Sequence, residues 1–249
     1  MTVLKKSITA LLFCLFISFQ LHAQITPRFE VGASIGTMVY QGDLSEPFYG
    51  DIHQLRMAYA LYLSKPITDA WSIRFNAALG HLASNESDYN NPTYHQQRNF
   101  SFHNSTQELA LLGVYNFMKS NYSFNDKKLQ TYIMAGAGIA LMQGYRDWSK
   151  MNTNVFPAKS ATVKGLGFDT TRAIPKALPV IPIGIGAKYK IADNFFMHAE
   201  VLYRYTFSDY IDGFSYAANP YQNDSYYSLT VGVSYVFTRN RMNCPKLKQ

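Results

Sequence analysis

Eight stretches of this chain alternate apolar and less apolar residues at every second position, and no segment after residue 23 is apolar over 18 consecutive positions. A period of two puts successive side chains on opposite faces of an extended strand. The first stretch, Arg28 to Tyr40, sets Phe29, Val31, Ala33, Ile35, Thr37 and Val39 against Glu30, Gly32, Ser34 and Gly36. The others run from about His53 to Ser64, Trp71 to Ala83, Thr106 to Phe117, Leu129 to Gly144, Val180 to Ile191, Phe195 to Thr206 and Ser225 to Thr238. The fifth is rich in Gly and Ala, and its pattern leaves its facing open.

The connections alternate in length. Short ones fall at Lys65–Ala70, near Met118–Lys128 and at Ala192–Asn194, and long ones at Gly42–Asp51, Ala83–Arg98, Tyr145–Ala177 and Ser208–Asp224. Short periplasmic turns alternating with long external loops are the pattern of a membrane barrel with an even strand number and both termini in the periplasm. Closure removes sheet edges, so each backbone group finds its partner in lipid. The expected fold is all-β: an eight-stranded, antiparallel, up-and-down transmembrane β-barrel. A soluble barrel of the lipocalin type is the rival, but its outer face meets water and calls for many Lys and Glu. Here the less apolar face carries Gly, Ser, Ala and scattered charges, which suits a narrow interior that side chains fill.

The N-terminus supplies an export route. Lys5 and Lys6 precede an apolar run from Ile8 to Phe19, and Leu21-His22-Ala23 offers a small-residue exit. That is the anatomy of a signal peptide, too short to span a bilayer as a helix of roughly 20 residues. The expected organisation is a signal peptide over 1–23, a barrel over 24–238 and a basic periplasmic tail over 239–249. Cys14 lies inside the leader without the small residue that a lipidation site wants, so no lipid anchor is expected; Cys244 is then the only mature thiol. Composition agrees with a membrane barrel: charged residues are 16%, against roughly 25% in ordinary globular chains, and 19 Tyr and 17 Phe can furnish aromatic girdles. Loss of the leader takes the formal net charge from +7 to +5. The excess gathers at Arg239, Arg241, Lys246 and Lys248. An exported chain does not meet nucleic acid, so this tail reads as a solvated end or a docking segment, with Cys244 as a candidate for linkage to a periplasmic partner.

The inward ionisable set is Glu30, Arg56, Arg74, Glu108, Lys188, His198, Glu200 and Arg204. Confined charges are costly unless paired, so a salt-bridged interior is the expectation, with a polar conduit or acid–base site as the sharper alternative. No Ser-His-Asp set assembles from a recognisable motif, and the histidines have no zinc-like spacing. Asp209, Asp212 and Asp224 stand near Asn219 and Asn223, but without the ordered spacing of a calcium loop. No enzyme activity, cofactor or metal is expected.

Three segments carry a resemblance. They are Phe29-Glu30-Val31-Gly32 with Tyr40-Gln41-Gly42-Asp43-Leu44, then Tyr203 to Asp212 with Asp209, Tyr210 and Asp212, and then Asn223 to Gly232, followed by Cys244-Pro245. Together they are similar to the PorG family of outer-membrane barrels of Bacteroidota, which serve the type IX secretion system. The resemblance implies a non-enzymatic membrane anchor for a periplasmic ring of a lipoprotein and its partner protein, with outer-membrane lipid around it. A small outer-membrane pore or ligand-binding barrel is the alternative function.

Overall fold

The alternation is realised as eight strands: β1 (Phe29–Gln41), β2 (Arg56–Pro66), β3 (Trp71–Asn85), β4 (Ser101–Asn116), β5 (Leu129–Asp147), β6 (Ala177–Lys190), β7 (Phe195–Thr206) and β8 (Ser225–Phe237). All pair antiparallel in chain order, and β8 returns to β1 to close the barrel. The computed structural model describes residues 29–45, 49–89, 92–119, 121, 128–221 and 223–237. The expected leader and the tail with Cys244 lie outside the described residues.

Every ladder pairs residues of equal parity, as with Glu30 and Ser64, Ser72 and Val114, or Lys188 and His198. Even-numbered side chains of the strands therefore face the interior all the way round, and odd-numbered ones face out. A slip of one residue in any ladder would send its charges into lipid. The same parity settles the facing of β5, where Gln130, Tyr132 and Met134 are buried inside.

The outer face is apolar throughout its middle, with Leu61, Leu79, Leu111, Ile185 and Val231 all exposed. A soluble protein does not show a continuous apolar belt of this kind. Trp71, Tyr115, Phe195 and Tyr235 ring the rim of the short turns, in contact across strands. Tyr203, Tyr205, Phe207 and Tyr227 lie towards the opposite rim. An apolar band between two aromatic girdles is the lipid face of an outer-membrane barrel. The soluble barrel is excluded by this face, and the chain is an outer-membrane β-barrel.

The wall is uneven. β3, β4 and β5 have 15, 16 and 19 residues, whereas roughly 9–11 suffice to cross. Their surplus rises past the external rim, where β5 runs on beyond its last β6 partner, Leu141. The fold is nearly all-β, since the long connections also carry a 3₁₀ turn (Glu86–Asp88) and two helices, α1 (Tyr94–Arg98) and α2 (Ala161–Thr171). The Ser160 hydroxyl caps α2 by accepting from Val163 N. Gly165 of α2 lies so close to the Tyr216 backbone that any Cβ would collide.

Candidate functional site: a filled lumen under a loop cap

The interior has two layers. Below the loops, three ion pairs join strands that are not neighbours in the wall. Lys188 Nζ of β6 donates to Glu30 of β1 at 2.5 and 2.7 Å, and the Tyr62 hydroxyl adds a 2.6 Å bond to the same carboxylate. Arg74 of β3 reaches across to Glu200 of β7 at 2.5 Å, and the Tyr132 hydroxyl donates to that carboxylate as well. Arg74 also stacks on Tyr62, its guanidinium carbon 3.9 Å from the ring centre. Further up, Arg204 Nε donates to Glu108 at 3.0 Å, and its Nη1 donates to Leu202 O and Ser228 Oγ. The Tyr226 hydroxyl donates to Glu108 at 2.8 Å. Three acids thus meet three bases. Each carboxylate also receives a tyrosine hydroxyl, which offsets the loss of water that makes a buried pair costly.

The set expected from the sequence divides accordingly. Glu30, Arg74, Glu108, Lys188, Glu200 and Arg204 come together in these pairs. Glu200 and Arg204 share a strand face, yet each pairs with a different strand. His198 is buried edge-on against Tyr62, 5.4 Å between ring centres. Arg56 departs from the expectation. Its parity is inward, but it opens β2 at the external rim, where it is exposed and donates to Gln54 Oε1 at 2.9 Å.

The external half is filled by the loops. Leu44, Phe100, Leu166, Ile211 and Phe214 form one apolar core with Leu82 and Phe102 of the raised wall. Phe100 and Phe214 stack at 4.4 Å. The buried carboxylates of this cap tie loop to loop. Asp169 of α2 accepts from Ser215, Tyr216 and Ala217 N and from the Tyr210 hydroxyl at 3.0 Å. Glu86 accepts from Arg98, from His95 and from Phe100 N. Burial would raise the Glu86 carboxyl, but the His95 and Arg98 bonds outweigh it and hold it below the usual range. Asp43 accepts from Asn219 N at 2.7 Å.

At the seam between cap and lumen, Tyr40 Oη lies 2.8 Å from Asp212 Oδ2 and 2.6 Å from Asp224 Oδ1. The second oxygen of each carboxyl accepts a backbone N–H: Asp212 that of Phe214, Asp224 that of Ile211. Gly42 is required here, because any Cβ would strike both Tyr40 and Asp224. The turn after Asp212 also depends on glycine, since Gly213 has φ +83°. The three segments singled out in the sequence thus converge on one point of the fold. Sequence reasoning missed this role for Tyr40 and Asp224; the available signal was the inward parity of Tyr40 at the end of its strand.

Burial raises all four acids of this region. Asp43 is pushed up to about 6 and Asp209 to about 7, with Asp43 and Asp169 adding to the effect on Asp209. Asp212 and Asp224 are raised well above the carboxylate range, by burial first. Among the described residues, no three His, Cys, Asp or Glu side chains are placed to share a metal ion. No Gly-x-Ser-x-Gly is expected from the sequence, yet Gly32-Ala33-Ser34-Ile35-Gly36 does spell that pattern of a nucleophile elbow. That motif needs a sharp strand-to-helix turn, and here all five residues are extended strand in β1, with Ser34 buried inside the barrel. A void between the Arg74–Glu200 and Arg204–Glu108 pairs, bounded by Met38, Asn76, Glu200, Leu202, Arg204 and Thr230, measures about 10 Å³, room for about one water.

No curated protein matches this sequence. Solved outer-membrane barrels resemble the fold at low identity. Ail of Yersinia pestis aligns at a TM-score of 0.45 and 10% identity, over 86% of this chain and 100% of that one. OprG of Pseudomonas aeruginosa aligns at 0.43 and 10%, over 86% and 97%. A major outer membrane protein of Thermus thermophilus aligns at 0.43 and 14%, over 86% and 100%. A family model covers nearly the whole chain, matching residues 5–243, and the chain belongs to that family, described as "Domain of unknown function (DUF6089)".

Proposed function

We propose that this barrel is a non-enzymatic component of the type IX secretion system, one that anchors or docks the periplasmic lipoprotein ring at the outer membrane. The observation that carries the reading is the filled interior. Paired charges occupy the lower lumen, with a void of about 10 Å³ among them, and packed loops fill the mouth above. A conduit needs a continuous water path, and a ligand barrel needs a cavity of roughly 300 Å³ or more; the packing among the described residues favours neither. A barrel that neither conducts nor encloses a ligand acts through its ends and its lipid face. The finer assignment rests on the sequence resemblance, whose three segments meet at Tyr40, Asp212 and Asp224. The test is a mild-detergent pull-down of the tagged full chain from outer membranes, with companions identified by mass. Periplasmic ring proteins should co-purify; recovery of the barrel alone would overturn the docking role.

A further inference from the structure

The bonding at Tyr40 does not balance with ordinary carboxylates. A phenol carries one proton and can donate it once. Its oxygen nevertheless lies within hydrogen-bond reach of Asp212 Oδ2 and of Asp224 Oδ1. Both carboxyls are fully buried, and their other oxygens already accept from Phe214 N and Ile211 N. The second contact is a hydrogen bond only when one carboxyl carries a proton and donates it to the phenol oxygen. If both were ionised, two negative oxygens would crowd one hydroxyl out of reach of water, a costly arrangement without a nearby cation.

Among the described residues, no cation bonds to either carboxyl group. β1 contributes Tyr40, and the first external loop Asp43. The second loop offers Arg98, which is held by Glu86. α2 offers the Asp169 carboxylate, and the fourth loop adds Asp209 and Tyr210. Arg146 of β5 donates to Gly213 O and Arg172 O. From below, Arg204 is bound to Glu108 beside Tyr226.

We propose that one proton held among Asp212, Tyr40 and Asp224 locks the cap onto the barrel, and that its loss as pH rises releases the fourth external loop. The consequence follows from position. Asp212 and Asp224 bracket the segment that carries Phe214 into the cap core, and Asp224 also holds Ile211 N, so losing the Tyr40 contact frees the segment that seals the mouth. The linkage has a definite sign. An acid whose folded pKa is raised stabilises the closed form fully below its unfolded pKa, and that contribution is lost as pH rises through the folded value. The raised Asp209 and Asp43 add to the same trend.

The fourth loop contains its own reporter pair. Phe214 is buried in the cap, whereas Tyr221 is exposed. The ratio of chymotrypsin cleavage at Phe214 to that at Tyr221 measures cap opening and cancels the protease's own pH profile. In folded wild-type protein, judged by heat-modifiable gel mobility, the ratio should rise about tenfold or more from mildly acidic to alkaline pH. In Asp212→Asn or Asp224→Asn the amide donates to Tyr40 at every pH, and the ratio should stay low. Either variant suffices if the other does not fold. A wild-type ratio that does not change with pH would overturn the proposal. So would a rise that persists in both Asn variants, or one that Asp209→Asn alone abolishes.

Discussion

The two halves of the lumen solve one problem, filling a narrow tube, by opposite means. The lower part is filled by strand residues, charges paired across the barrel and each carboxylate bound to a tyrosine hydroxyl. The external half is filled from outside, by loops that fold inward and pack apolar side chains against the raised wall. The first solution belongs to the barrel and has to be disrupted with it. The second is a separate layer that can loosen while the barrel stands.

The largest effect should come from the ionic layer. Arg204→Ala strands the buried Glu108 carboxylate and should cost roughly 3–5 kcal/mol, read as a fall in the unfolding midpoint of the whole barrel in detergent. Replacing both partners, Arg204→Met with Glu108→Leu, should recover most of that loss, because the apolar pair removes the unpaired charge. If the double variant is as unstable as the single one, the pair is not what Arg204 contributes. Phe214→Ala comes next: it empties the centre of the cap core and should cost about 3 kcal/mol locally. Hydrogen exchange should quicken in the external loops while the barrel midpoint holds; a matching fall of the midpoint would show that the two halves unfold as one.

A smaller effect is expected from Tyr40→Phe, which leaves Asp212 and Asp224 facing each other without the shared hydroxyl. It should loosen the cap by about 1–3 kcal/mol at neutral pH, with recovery as pH falls towards the ordinary carboxylate range and both acids take up protons. A loss that grew on acidification would have the wrong sign. Arg56→Ala should do least, within about 0.5 kcal/mol, since Arg56 is exposed at the rim; a large loss would place it in the ionic layer after all.

The contrast between the halves is also a contrast in what a sequence displays. Strand residues obey a period of two, so the pattern alone places Glu30, Arg74, Lys188 and Glu200 inside. Parity misled only at Arg56, because it fixes the face of a strand and says nothing of where the wall ends. The cap has no period. Leu44, Phe100, Leu166, Ile211 and Phe214 come from four loops at unrelated spacings, and their meeting depends on long-range closure of the barrel. α2 was equally hidden: it is 11 residues long, contains two glycines, and is held by Asp169 bonding to a loop some 46 residues away. The Asp209, Tyr210 and Asp212 segment was visible as a pattern, but its partner Tyr40 lies 172 positions from Asp212.

Planar-bilayer conductance of the purified, folded protein tests the filled lumen without any variant. A barrel whose interior is occupied by paired charges below and packed loops above should insert without stable single-channel currents, at neutral pH and also at alkaline pH where the cap loosens. Large, stable, reproducible single-channel steps from the wild-type protein would contradict it.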